Sequence, residues 1–138
     1  GSDILARTNE GNNILHSAAL CKNHSTMEYL MKIYPHLKHD ITNDGWTALH
    51  CCSHAGDISA MEILLQEGFD IKARTKGGLN ALHIAARNNN LALVNYLIKG
   101  YPQLIQETNI VMMTALHCAA EGGDVHVIET LIKSGLDI

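Results

Sequence analysis

The sequence predicts an all-α repeat solenoid, and three observations carry that prediction. One hexapeptide pattern recurs four times, as GNNILH (Gly11–His16), GWTALH (Gly45–His50), GLNALH (Gly78–His83) and MMTALH (Met112–His117). Its histidines lie 34, 33 and 34 residues apart. A patch of small residues follows each copy, and an aliphatic pattern at helical spacing follows each patch. Self-similarity at a period in this range marks units that bury their apolar faces by stacking on one another.

Each unit can be justified in chain order. Asn13, Thr47, Asn80 and Thr114 stand where a helix begins, and each has a side-chain oxygen able to accept a backbone N–H as an N-cap. His16, His50, His83 and His117 fall three residues later, the place where a capping box puts Glu or Gln. The small patches Ser17–Ala19, Cys51–Ser53, Ile84–Ala86 and Cys118–Ala120 let helices approach closely. A second helix follows, with Ile58, Met61, Leu64 and Leu65 in one copy and Val125, Ile128, Leu131 and Ile132 in another, on one apolar face. Gly68 and Gly135 end second helices where a left-handed residue is wanted. Asp70–Gly78 reads as an extended segment with a tight turn. Leu49, Leu82 and Leu116 are expected in the core.

A unit of about 33 residues with Gly-x-Thr-x-Leu-His, two small residues and a second helix ending in Gly resembles the ankyrin repeat. The resemblance covers essentially the whole chain. It implies antiparallel helix pairs stacked side by side, with β-hairpin finger loops projecting from them. It also implies that His16, His50, His83 and His117 are structural, bonding the finger and the capping residue, together with Thr47 and Thr114. The chain departs from the family pattern in places. Ile14, Ala48, Ala81 and Ala115 replace the proline that usually follows the cap. Repeats one and three carry Tyr34–Pro35 and Tyr101–Pro102 with an extra residue, whereas repeats two and four keep the plain Gly ending, an alternation suggesting that pairs of repeats were copied together. Met112 stands where the other fingers have Gly, so that turn is expected to be distorted.

One domain over 3–138 is expected, with repeats at about 3–36, 37–70, 71–103 and 104–138, and Gly1–Ser2 reads as a vector remnant. The array is expected to continue in both directions, because Val125, Ile128 and Leu131 look like those of an internal repeat. End-to-end self-association of such an uncapped fragment is left open.

Composition narrows the function. Hydrophobic residues make up 46%, enough for a core, but with one Phe and one Trp that core must be aliphatic. Ten basic against fourteen acidic residues give a formal charge of −4 with no Lys/Arg run, which disfavours nucleic acid. No apolar stretch approaches the roughly 18 residues of a membrane span, and no signal-peptide pattern opens the chain. Cys21, Cys51, Cys52 and Cys118 match no disulfide framework, which suits an intracellular setting, the cytoplasm first.

No enzyme, metal or cofactor is expected. His50 and His54 have the i,i+4 spacing of a zinc pair, yet His50 is the repeat's recurring His, and Cys51 and Cys52 fall on packing positions. Cys/His and Ser/His pairs are likewise explained by the repeat, and no phosphate loop or zinc-protease helix occurs.

The expected partner is another protein or peptide. In the resembled family it lies across finger tips and the concave side of the first helices. Counting from the template places Asn12, Asp44, Trp46, Lys76, Leu79, Ile110, Val111 and Met113 on the fingers, with Asn9, Glu10, Asn43 and Gly77 beside them. His54, Arg87 and Glu121 are the first-helix candidates, with Leu20, Cys21, Ala55, Asn88 and Gly122. Asn12, Trp46, Leu79 and Met113 share one position, giving a stripe of three apolar side chains that either meets a partner or covers the neighbouring finger or first helix. On the first view Trp46→Ala weakens a partner and leaves the melt nearly unchanged. The alternative function is a structural spacer or elastic segment of a long array in a scaffold or channel protein.

Overall fold

The computed structural model describes residues 7–109 and 112–134. Gly1–Ser2, residues 3–6, Ile110, Val111 and Gly135 therefore lie outside the described residues. Among the described residues eight α-helices form four pairs: α1 (Ile14–Leu20) with α2 (His24–Ile33), α3 (Ala48–Ala55) with α4 (Ile58–Gln66), α5 (Ala81–Arg87) with α6 (Leu91–Gly100), and α7 (Ala115–Gly122) with α8 (Val125–Lys133). Contacts run along α1–α3–α5–α7 and along α2–α4–α6–α8, so first helices make one layer and second helices the other. The small patches explain the close first layer: Ala19, Cys51, Cys52, Ala85, Ala86, Cys118 and Ala119 are all buried. Met27, Met61, Leu64, Leu93, Leu97 and Leu131 of the second layer fill the space behind them.

Every first helix starts on its expected cap. Asn13 Oδ1 accepts from the His16 N–H at 2.9 Å, and His16 Nδ1 accepts from the Asn13 N–H at 3.0 Å. Thr47 with His50 and Asn80 with His83 repeat the exchange, and the Thr114 N–H donates to His117 Nδ1 at 3.1 Å. Because Nδ1 accepts, the ring proton sits on Nε2, which reaches the next unit: His50 donates to the Ala73 carbonyl at 3.0 Å and His83 to that of Glu107 at 2.9 Å. One neutral imidazole therefore ties a helix start to the backbone of the following repeat.

The fingers are single hydrogen-bonded turns, and among the described residues no strand forms. Thr42 N–H donates to Trp46 O at 2.9 Å and Gly45 N–H to Thr42 O at 2.9 Å, with the same pair of bonds at Thr8 and Thr75. Thr8, Thr42 and Thr75 also accept the amide of Asn12, Trp46 and Leu79 on their hydroxyls, and Asn109 Oδ1 accepts that of Met113. Neighbouring fingers touch through backbone, so a Cβ on Gly45 would lie 2.8 Å from the Lys76 nitrogen.

Three expectations need correction. Met112 adopts the conformation of the finger glycines it replaces, φ +65° beside +78° at Gly45 and +80° at Gly78, and the turn-closing Asn109–Met112 and Asn109–Met113 bonds are both 3.0 Å. Its side chain is 73% exposed, so no neighbouring finger forbids it, and the cost is confined to the left-handed backbone. Leu116 is half-buried while Leu49 and Leu82 are fully buried. Val125 and Ile132 are exposed, whereas their counterparts Ile58 and Leu65 pack on the core, and Val127 is buried instead. The last two have one cause: among the described residues no helix pair follows α7–α8 to cover that side.

The alternation between odd and even repeats has a structural counterpart. Tyr34 and Tyr101 precede 3₁₀ turns at Pro35–His39 and Pro102–Gln106. Beside each lies an ion pair, Arg7–Asp40 and Arg74–Glu107, both 3.2 Å, whose carboxylates also accept from the capping amides of Asn13 (3.1 Å) and Asn80 (2.8 Å). The even repeats have Gly68, left-handed after α4 as expected, and Gly56 and Gly123 left-handed after α3 and α7.

Three outcomes test this account. Leu82 is fully buried between layers, so Leu82→Ala is expected to lower unfolding free energy by about 2–5 kcal/mol in a urea melt. Met112→Gly is expected to raise it by about 0.5–1 kcal/mol, the left-handed strain relieved less the extra chain entropy of glycine. Burial holds the His16, His50 and His83 imidazoles below their ordinary value of 6.5, partly offset by the carbonyls they meet. Below about pH 6.5 the unfolded chain then takes up protons before the folded one does. Stability present above that pH is therefore expected to fall as pH drops through the folded values, and His50→Gln to flatten the slope in melts between about pH 7 and 5.

Candidate partner-binding surface

The surface begins with how one finger is held to the next. Asn43 N–H donates to the Glu10 carbonyl at 2.9 Å, its side-chain amide to that of Asn9 at 2.9 Å, and Lys76 N–H to that of Asp44 at 3.0 Å. These bonds fix a row of tips in which Glu10, Asp44 and Lys76 are exposed. The chain then turns back at Gly45, and α3 starts three residues later, at Ala48. That geometry folds the residue after the finger Gly over its own first helix.

Trp46 accordingly lies half-buried against the core, with its ring edge-on to His50 at 6.2 Å and to His54 at 6.0 Å between centroids. Asn12, Leu79 and Met113 are half-buried as well. The stripe thus both covers first helices and shows an edge to solvent. Trp46→Ala removes part of a packed side chain, so the expected unchanged melt gives way to a cost of about 1–3 kcal/mol.

Trp46 and His54 are shared by two clefts between fingers and first helices. The first, about 300 Å³, is lined by Glu10, Asn12 and Asp44 from the fingers and by Leu20 and the buried Cys51 from the helices. The second, about 480 Å³, takes in Leu79, Ile84, Arg87 and Glu121. Arg87 and Glu121 approach at 3.7 Å with both side chains well exposed, a pair of small energetic weight. Lys76 and Met113 line neither cleft, and Ile110 and Val111 are outside the described residues. Gly122, read as an exposed candidate, is a packing position: a Cβ there would lie 2.5 Å from the Arg87 carbonyl, and its own carbonyl accepts from Asn89 at 2.9 Å.

Some contributors escaped the sequence reading. The local pattern assigns Ile84 to a packing patch, and the Thr8, Thr42, Thr75 and Asn109 series is legible only from its 34, 33 and 34 residue spacing. Burial pushes the Cys51 thiol up to about 12 and the Cys118 thiol to about 11, and raises Cys52 as well, so none supplies a thiolate nucleophile at neutral pH. No group of three or more His, Cys, Asp or Glu among the described residues is placed to hold a metal ion. No helix among them is long and apolar enough to cross a membrane.

Comparison with known proteins agrees with this geometry. The family model for ankyrin repeats (3 copies) matches residues 1–75 and 52–138. The chain is 29% identical over 143 residues to the nuclear factor NF-kappa-B p105 subunit of Gallus gallus, covering 99% of this chain and 14% of that protein. It is 28% identical over 141 residues to the human transient receptor potential cation channel subfamily A member 1, covering 98% and 13%. With human NF-kappa-B inhibitor epsilon it shares 25% over 139 residues, covering 94% and 28%. The chain therefore spans less than a third of each of these relatives. Matched by the family model along its whole length and built from stacked helix pairs with finger turns, the chain belongs to the ankyrin-repeat family, whose repeats generally mediate protein–protein interaction.

Proposed function

We propose that the chain binds a partner protein across its finger tips and first helices, inside the cell. The observation that carries this reading is the placement of Trp46. Its half-exposed ring is the common wall of two clefts lined from adjacent repeats, with charged and polar side chains around an apolar floor. Aromatic anchors beside pockets, ringed by polar groups, are the usual composition of binding hot spots. Asn12, Asp44, His54, Leu79, Arg87 and Glu121 are the accompanying contacts, with Lys76, Met113, Ile110 and Val111 extending the surface along the fingers. Four free thiols fit a reducing compartment, the cytoplasm first.

A second reading, a spacer within a long array, has one observation of its own. The Arg7–Asp40 and Arg74–Glu107 braces recur two repeats apart, which suits regular stacking whatever the surface does. Paired capture from cell lysate separates the two. Wild-type protein and a Trp46→Ala/Met113→Ala variant are compared at a temperature where melts show both folded. The expected outcome is a protein retained by the first and lost by the second. Equal retention moves the site off the fingers, and no specific retention by either favours the spacer.

A further inference from the structure

We infer that the cleft walled by Glu10, Asp44 and Trp46 is a seat for an arginine side chain of the partner protein. The inference rests on the protein-binding reading and specifies the chemistry of its first contact. Glu10 and Asp44 come from successive finger tips, and the Asn43–Glu10 and Lys76–Asp44 backbone bonds hold those tips in register before any partner arrives. Asp40, Asp57, Glu67, Glu107 and Glu121 are each engaged by a cationic or histidine side chain of this chain. Glu10 and Asp44 have no such pairing among the described residues, yet both line one cleft. Trp46 lines the same cleft, and its indole is the aromatic type that best receives a cation over its face.

The dimensions and charge select the occupant. About 300 Å³ is the lower limit of ligand pockets, a volume suited to one inserted side chain. A guanidinium can lie flat on the indole while its N–H fork meets carboxylates at the rim. A lysine ammonium is compact and strongly hydrated, and offers no plane to stack. The second cleft carries its own cation, Arg87 beside Glu121. The unneutralised negative charge thus lies on the Glu10 side of Trp46, which gives a bound segment a preferred direction.

The test selects short random peptides on the intact chain and reads binding from the fluorescence of Trp46, the only tryptophan. Selected peptides are expected to share an arginine. Its replacement by citrulline, equal in shape but uncharged, is expected to weaken binding about tenfold or more. Glu10→Gln/Asp44→Asn is expected to cause a similar loss for the arginine peptide and little for the citrulline one, with an unchanged melting temperature. Equal affinity for the two peptides, or an arginine peptide indifferent to the carboxylate variant, overturns the seat. Peptides that need Trp46 but share no arginine overturn it while leaving the protein-binding reading intact. Failure to select any peptide also overturns the seat, and the lysate capture then decides the broader reading by itself.

Discussion

The neutral imidazole at the third position of each first helix is the constraint on which the stack depends. Its Nδ1 must accept from the cap residue's amide, which leaves Nε2 as a donor, and in His50 and His83 that donor meets a carbonyl of the next unit. A Glu at this position completes a capping box equally well, but it has no second, oppositely directed hydrogen-bonding group. The ring therefore couples helix initiation to repeat stacking. His117 makes the cap bond and is otherwise exposed, which separates the two roles within one chain.

Stacking at this short range dictates the rest. First helices carry Ala and Cys because larger side chains would hold the layers apart, and finger glycines serve both a left-handed turn and a neighbouring backbone. The same closeness leaves the finger row little freedom. The side chains that project from it are held by backbone hydrogen bonds rather than by packing of their own. Residues at the tips can thus vary in chemistry without disturbing the array. Trp46 is the partial exception, since it contributes to both.

The odd and even repeats solve the same problem differently. Odd units brace the cap with an Asn and an Arg–carboxylate pair beside a 3₁₀ turn after the second helix. After the first helix they turn on left-handed Lys22 and Asn89, where even units have Gly56 and Gly123. Each odd-repeat brace is a part-exposed pair of modest energy, and the same arginines donate to the Ile41 and Thr108 carbonyls, which ties each odd finger to the next. Similarity to stretches of an NF-kappa-B subunit and of a cation channel fits such a frame, which holds its geometry while its surface changes.

Periodicity made the fold legible. The recurring hexapeptide, the caps at Asn13, Thr47, Asn80 and Thr114, and burial of Leu49 and Leu82 follow from local rules that hold in every copy. The site was legible only as positions. That Glu10 and Leu20 of one repeat meet Asp44 and Trp46 of the next at one cleft depends on how adjacent units are offset, which no single repeat encodes. Local pattern also misjudged Met112: the left-handed strain is local, but whether a side chain fits at that turn depends on whether a neighbouring finger occupies the space. Leu116, Val125 and Ile132 carry an internal repeat's pattern, but their exposure depends on what packs beside them. Sequence by itself determined the unit, its caps and its period, since these are short-range hydrogen bonds and helical spacing. Tertiary structure decided which half-apolar surface remains open and where its unpaired charges gather, since those depend on contacts between units.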